Sequence, residues 1–332
     1  MSSRSTRRSA TRRSLSGVAV ALAATVAALA LAELVLRAAG FSFEPYPAFY
    51  PDGVARGAAT GTFAADPDLL WVSSDWAPAL RAARSSRPKL FLLGDSCTAW
   101  GDYDERLAAL VAARGGNLSC AKFAVGGWST FQGLAALRRD LLPLGPSVVA
   151  IYFGWNDHWT RFGLPDAAAA RIARSGARLS GSRLVQLGTK LRIALHGKPA
   201  DAPARVSPGD FRENLRTMVR LCRERGAVPI LVTAASAHEE GSEPAFLAQE
   251  RYLADLARLV PLHGEYVAIV REVAAAEGAM LCDAERELPG PPARERLFRP
   301  DGIHLDDAGN DALARLLLEV LLRDGLLEKV LD

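Results

Sequence analysis

The sequence predicts an α/β protein built on a parallel sheet with helices on both faces. Three observations predict it: short fully apolar runs recur along the chain, amphipathic stretches of helical length separate them, and glycine-bearing turns follow several of the runs. Strands buried on both faces read as continuous apolar runs instead of alternating ones, so the pattern selects a parallel sheet. With 332 residues and 49% hydrophobic content, the chain can bury a full core.

The first element is an N-terminal apolar helix. Arg4, Arg7, Arg8, Arg12 and Arg13 precede Leu15 without an acidic residue, and an apolar run then extends from Gly17 to Leu36. A bilayer core needs roughly 20 helical residues, so residues 17–38 are long enough to span it. Glu33 is the one charge in the run, with Arg37 a turn later, where both side chains can reach the interface. By the positive-inside rule, residues 1–16 form a cytoplasmic basic tail and everything after Phe41 is extracytoplasmic, periplasmic in a bacterium. A cleaved signal peptide is the rival, because Ala28-Leu29-Ala30 and Ala30-Leu31-Ala32 have the small-x-small processing pattern and Thr11 to Leu15 resembles a twin-arginine signal. The run continues past those sites through Leu34, Val35 and Leu36, which favours a retained anchor.

Residues 39–87, with Pro45, Pro47, Pro51, Pro67 and Pro78, read as an irregular connector. The domain then occupies 88–325. Buried strands are expected at Leu90 to Leu93, Ala121 to Val125, Val148 to Phe153, Pro229 to Thr233 and Ala279 to Cys282. Helices are expected at Asp104 to Ala113, Thr130 to Leu142, Pro208 to Arg225, Tyr266 to Glu277 and Asp306 to Leu322.

Two insertions interrupt the alternation. Residues 161–205 carry nine basic residues against Asp166 and Asp201, with Leu184, Leu187, Leu191 and Leu195 at helical spacing. A lid, a basic patch against an anionic membrane and a solvated insertion with its apolar face on the domain all fit this composition. Residues 236–264 are acidic first and then helical around Ala245 to Leu259, with no role assigned.

Cys97, Cys120, Cys222 and Cys282 allow two disulfides, but their apolar settings favour buried free thiols, and no pair has metal-ligand spacing. The net charge of +3 is small and the basic residues do not alternate with aromatic ones, which argues against a nucleic-acid partner.

The chemistry is carried by four blocks. Gly94-Asp95-Ser96 follows the first strand, where a serine at a strand-to-helix turn presents its hydroxyl at the top of the sheet. Asp301 and His304, three residues apart, let one loop supply a base for Ser96 and a carboxylate to orient that base. The Ser96 N–H, the Gly127 N–H and the Asn156 side-chain amide can form an oxyanion hole at successive strand ends. Trp100, Trp128, Trp155 and Trp159 lie near the blocks, as sugar platforms or as core. The other histidines, His158, His196, His238 and His263, lack a comparable arrangement.

Taken together, Gly94-Asp95-Ser96, Gly127 to Gly133, Gly154-Trp155-Asn156-Asp157 and Asp301 to His304 resemble the serine, glycine, asparagine and histidine blocks of the SGNH hydrolases, the GDSL-type esterase and lipase family. The resemblance covers about Pro88 to Leu322. It implies a flavodoxin-like three-layer α/β/α fold, no metal or other cofactor, and hydrolysis or transfer of acyl groups. Cys97 stands where an apolar residue is common, and Ala124 where the second block often has glycine. Gly127 is preferred over Gly126 as the donor because the Ser-Thr-Phe-Gln-Gly run fits from there. The expected protein is a membrane-anchored extracytoplasmic serine esterase acting on a small-molecule or glycan ester. An O-acyltransferase or deacetylase of envelope glycans, or a noncatalytic carbohydrate-binding module of the same fold, are the alternatives.

Overall fold

The computed structural model describes residues 4–42, 63–160, 164–177, 181–195, 202–249, 252–253, 255–290, 293–323 and 325–332. The side chains of the five N-terminal arginines lie outside the described residues, as do 43–62 of the expected connector and Arg161, Arg178, His196 and Lys198. In chain order the main elements begin with helix α1 (Arg4–Ala38), strands β1 (Phe63–Asp66) and β2 (Leu70–Ser73), and helix α2 (Trp76–Ser86). Next come β3 (Leu90–Gly94), α3 (Tyr103–Ala112), β4 (Cys120–Ala124), α4 (Thr130–Ala136), β5 (Val148–Tyr152), α5 (Asp166–Ala177) and α6 (Arg183–Leu195). The chain continues with α7 (Pro208–Glu224), β6 (Val228–Val232), α8 (Leu259–Glu277), β7 (Met280–Cys282) and α9 (Asp307–Arg323).

The chain divides into two compact units: Met1–Pro45 with Ser175–Gly197, and Tyr46–Arg174 with Lys198–Asp332. In the larger unit five strands pair in parallel in the order β4-β3-β5-β6-β7. Counted within that sheet, the order is the flavodoxin-like 2-1-3-4-5. Successive strand side chains point to opposite faces. Phe91, Leu93, Val149 and Ile151 therefore pack with α2, α4, α7 and α8, whereas Leu90, Leu92, Val148 and Ala150 pack with α3 and α9. Both faces are covered, which is why the strands are apolar throughout.

Gly94 pairs with Ala124 on one side and Tyr152 on the other, so β4, β3 and β5 end level and their following turns share the carboxyl end of the sheet. The chain leaves β3 through a one-turn helix, Ser96–Ala99, that folds back closely. A Cβ on Gly94 would lie 2.1 Å from Thr98 Oγ1, so only glycine fits there.

The expected irregular connector fails over Phe63–Ser86. β1 and β2 form an antiparallel hairpin, α2 follows, and Leu69, Leu70, Trp71 and Trp76 join the core beneath the sheet. The prolines misled for a physical reason: Pro67 lies in the hairpin turn and Pro78 in the first turn of α2, where a missing N–H is tolerated. The helix expected around Ala245 to Leu259 is also corrected, to short turns at Phe246–Gln249 and Leu256–Arg258. The long helix α8 starts at Leu259, seven residues before its expected start, because Pro261 is accommodated in its first turn. Beyond Ala136, the expected helix to Leu142 loosens into a π-helical turn, Leu137–Leu141. The ends of the first insertion are not solvated: Asp166, Ala170 and Arg205 are buried.

In the smaller unit, α1 contains the stretch Gly17–Ala38, with a mean hydropathy of 2.3 over its most apolar 18 residues and the length and composition to cross a membrane, properties that anchors and signal sequences share. Glu33 has a defined structural partner there. Its carboxylate accepts hydrogen bonds from Ser182 Oγ and from the N–H groups of Arg183 and Leu184, each at 2.9 Å, and pairs with Arg37 at 2.7 Å. It thus satisfies donors at the start of α6 that have no partner within that helix. All four cysteines are free thiols, with Cys97, Cys222 and Cys282 buried.

Candidate active site

Ser96 begins the one-turn helix after β3, and Asp95 caps that helix by accepting the Cys97 N–H at 2.9 Å. The second Asp95 oxygen accepts Asn156 Nδ2–H at 3.0 Å, from the turn after β5. Burial pushes the Asp95 carboxyl above the usual aspartate range, against the pull of the Cys97 N–H, His304 and Asn156. An amide nitrogen carries two protons, so Asn156 keeps one N–H for another acceptor.

His304 Nε2 lies 2.9 Å from Ser96 Oγ, and His304 Nδ1 lies 2.7 Å from Asp301 Oδ2. With Nδ1 donating to the carboxylate, Nε2 is left to accept the serine proton. The other Asp301 oxygen accepts the N–H groups of Ile303 and His304 at 2.8 and 2.9 Å, which fastens the loop on itself. Burial would raise the Asp301 pKa, but the His304 imidazole and these backbone donors outweigh it and hold the carboxyl below its ordinary value. Asp301 is therefore an anion facing the imidazole at neutral pH.

Gly127 lies in the turn after β4 with φ of +79°, a left-handed conformation that favours glycine. Its carbonyl accepts Arg205 Nη1–H at 2.7 Å. Arg205 is buried and forms a two-pronged ion pair with buried Asp166, at 3.0 and 2.8 Å, while Ser129 Oγ donates to the same carboxylate at 2.6 Å. Two buried charges are tolerated here because each has a partner and further hydrogen bonds. Thus Ser96, Asp301 and His304 are in direct contact, Asn156 reaches them through Asp95, and Gly127 occupies the turn on the neighbouring strand.

A pocket of about 190 Å³ opens beside Ser96 and His304, walled by Trp155, Trp159, Phe246, Leu247, Tyr252 and Ile303. Sequence reasoning missed Phe246, Leu247 and Tyr252, which come from the insertion given no role; no motif marks them. Trp128 is fully buried core, whereas Trp100 keeps 39% of its surface exposed and lies against the His304 ring with centroids 4.7 Å apart. Beneath Trp155 lie two buried histidines: His263 stacks on its ring at 4.0 Å, donates Nε2–H to Ala234 O at 2.8 Å and faces His158 at 3.2 Å. Burial holds His263 down to about 4, so it is a neutral packing group at neutral pH. Asp157, next to Asn156, is pushed up to about 7 by burial, against hydrogen bonds from Thr130. Among the described residues, no cluster of three or more His, Cys, Asp or Glu side chains could hold a metal ion.

Residues 92–312 match the model of the GDSL-like lipase/acylhydrolase family. Among solved structures, the chain is similar to the lipase/acylhydrolase from Enterococcus faecalis at 20% identity and a TM-score of 0.49, over 74% of this chain and 97% of that one. It is similar to a GDSL-like lipase from Bacteroides thetaiotaomicron at 14% identity and a TM-score of 0.48, over 75% and 99% of the two chains. An acetylxylan esterase from Geobacillus stearothermophilus is similar at 17% identity and a TM-score of 0.45, over 70% and 94%. A comparison with curated proteins found no match.

Proposed function

Since the chain belongs to the GDSL-like lipase/acylhydrolase family and is an ester-hydrolysing enzyme, we propose that Ser96 is its nucleophile, His304 its general base and acid, and Asp301 the residue that orients His304. The observation that carries this reading is the continuous relay from Asp301 Oδ2 through the imidazole to Ser96 Oγ, at 2.7 and 2.9 Å. Ser96 Oγ attacks the ester carbonyl as His304 Nε2 takes its proton, and the Asp301 anion stabilises the imidazolium so formed. The tetrahedral oxyanion accepts hydrogen bonds from the Ser96 N–H, the Gly127 N–H and the Asn156 N–H left over from Asp95. Collapse expels the alcohol, which takes the proton back from His304, and water then hydrolyses the acyl-enzyme by the same route.

The aromatic walls and small volume of the pocket support a carboxylic ester or O-acyl group with a short acyl chain. Exposed Trp100 beside His304 supports a sugar as the alcohol portion, since a sugar ring can stack on an indole face. The arginine-led apolar helix supports a single-pass anchor with the catalytic unit outside the cytoplasm.

A fluorophosphonate probe, which traps activated serines, tests the reading. It should label Ser96 in the full-length protein, labelling should vanish in Ser96→Ala, and the wild type should turn over p-nitrophenyl acetate or acetylated glycans. A folded wild type that takes no label and hydrolyses neither would overturn it. Adding an acceptor sugar separates hydrolysis from transfer. For the anchor, the chain should stay with membranes after a carbonate wash and a C-terminal reporter should be active only outside the cytoplasm; a shortened soluble product refutes it.

A further inference from the structure

We propose that Trp71, from the N-terminal hairpin, is a positioning residue for the oxyanion hole, acting through the Gly126–Gly127 peptide. The proposal rests on the reading of Gly127 as an oxyanion donor. Trp71 Nε1–H donates to Gly126 O at 3.1 Å. In a planar trans peptide the N–H points opposite to the C=O, so a donor that holds Gly126 O also aims the Gly127 N–H. Withdrawing electron density from that carbonyl also strengthens the N–H as a donor, because linked hydrogen bonds polarise one another.

The site needs such a device. Gly127 has φ of +79° and no side chain of its own to restrain it, whereas an oxyanion donor is effective only when it is oriented before charge develops. Trp71 is itself held from several sides. Its carbonyl accepts Trp128 Nε1–H at 2.8 Å, which makes the two indoles a reciprocal clamp across the turn. The Arg205 guanidinium lies over the Trp71 ring, 5.6 Å from its centroid, and donates to Gly127 O, so the next peptide plane is fixed as well. Leu70, just before Trp71, takes φ of +66°, which a non-glycine residue adopts only where its surroundings impose it.

The test uses the full-length chain, Trp71→Phe, and a second variant with benzothienylalanine at position 71, which keeps the ring shape without the N–H. Glycine is labelled with 13C at the carbonyl and 15N at the amide. The sequence contains two Gly-Gly pairs, Gly115-Gly116 and Gly126-Gly127, so a carbonyl-to-amide correlation spectrum resolves two peaks, and Gly116 serves as the internal control. A trifluoromethyl ketone that forms a hemiketal with Ser96 supplies the oxyanion.

In the wild type the Gly127 amide proton should move downfield when the ketone binds, while Gly116 stays in place. In both variants that movement should shrink, kcat should fall about tenfold with KM within about twofold, and ketone affinity should fall by the kcat factor. Lost thermal stability with unchanged kcat and an unchanged Gly127 shift would make Trp71 a packing residue and overturn the proposal. If the wild-type Gly127 signal does not respond to a ketone that binds, the Gly127 reading fails and the proposal falls with it. If Trp71→Phe does not fold, the benzothienyl variant decides the matter.

Discussion

On one side of Ser96, Asp301 and His304 come from a single four-residue loop that hydrogen-bonds to itself through Asp301 Oδ1. On the other side, the turn that carries Gly127 is held by Trp71, Asp166 and Arg205, and Asn156 by Asp95, so residues from four distant segments converge. The first arrangement needs the fold only to bring one preassembled loop to Ser96. The second exists only once the sheet, the hairpin and both ends of the first insertion are in place. Damage to the loop should therefore show as lost chemistry on an intact protein, and damage to the opposite side as lost chemistry mixed with lost stability.

The largest effect is expected from Asp301→Asn. The asparagine keeps an acceptor for the Ile303 and His304 N–H groups but removes the anion facing Nδ1, so kcat should drop about 10⁴-fold. Thermal stability should stay close to wild type. His304→Ala should do similar damage, and the double variant should be scarcely worse than either single one, since residues acting as a unit are non-additive. Losses that multiplied would mean that the two side chains work separately.

Asn156→Ala should lower kcat by about 10² to 10³ with little change in KM, the loss expected for one oxyanion donor. It should also lower the melting temperature, because it strips a partner from buried Asp95. An unchanged kcat alongside that stability loss would reduce Asn156 to a support for Asp95.

The smallest effect on turnover, one read in stability instead, concerns Asp157, whose Oδ2 is buried without a hydrogen-bond partner. Its folded pKa of about 7 lies above the unfolded value of 3.8, so the folded state holds a proton that the unfolded state has released between those pH values. Stability from this group is full below about pH 4 and is lost as pH rises towards 7. Asp157→Asn, read by melting temperature against pH, should gain on the wild type steadily from pH 4 to pH 7. Parallel profiles would show that Asp157 is already ionised in the fold.

The legible part of the site was the part with local causes. Ser96 follows an apolar run through a glycine turn, and Asp301 and His304 are three residues apart, so spacing alone suggested a shared loop. Trp71 carried no such signal, since the hairpin strands are four residues each and the prolines around them read as loop markers. Arg205 and Asp166 were visible only as entries in a charge count. Nothing in their neighbouring residues shows that both are buried against Gly127 and Ser129. Phe246, Leu247 and Tyr252 wall the pocket from a segment with neither a motif nor a clear period.

By itself, the sequence determined the fold class, because apolar runs of strand length alternating with amphipathic helices can be buried only as a parallel sheet covered on both faces. It also determined the order of the chemical blocks, their positions at strand ends, and an apolar N-terminal helix long enough for a membrane. The tertiary structure alone decided which carbonyls an indole or a guanidinium would reach, which charges would be buried together, and which apolar side chains would enclose the space beside Ser96. Periodicity and turn chemistry act over a few residues and leave a local trace. The partner of a buried polar group is chosen by packing between segments far apart in the chain, 78 residues for Gly127 and Arg205 and 105 for His158 and His263, and leaves none.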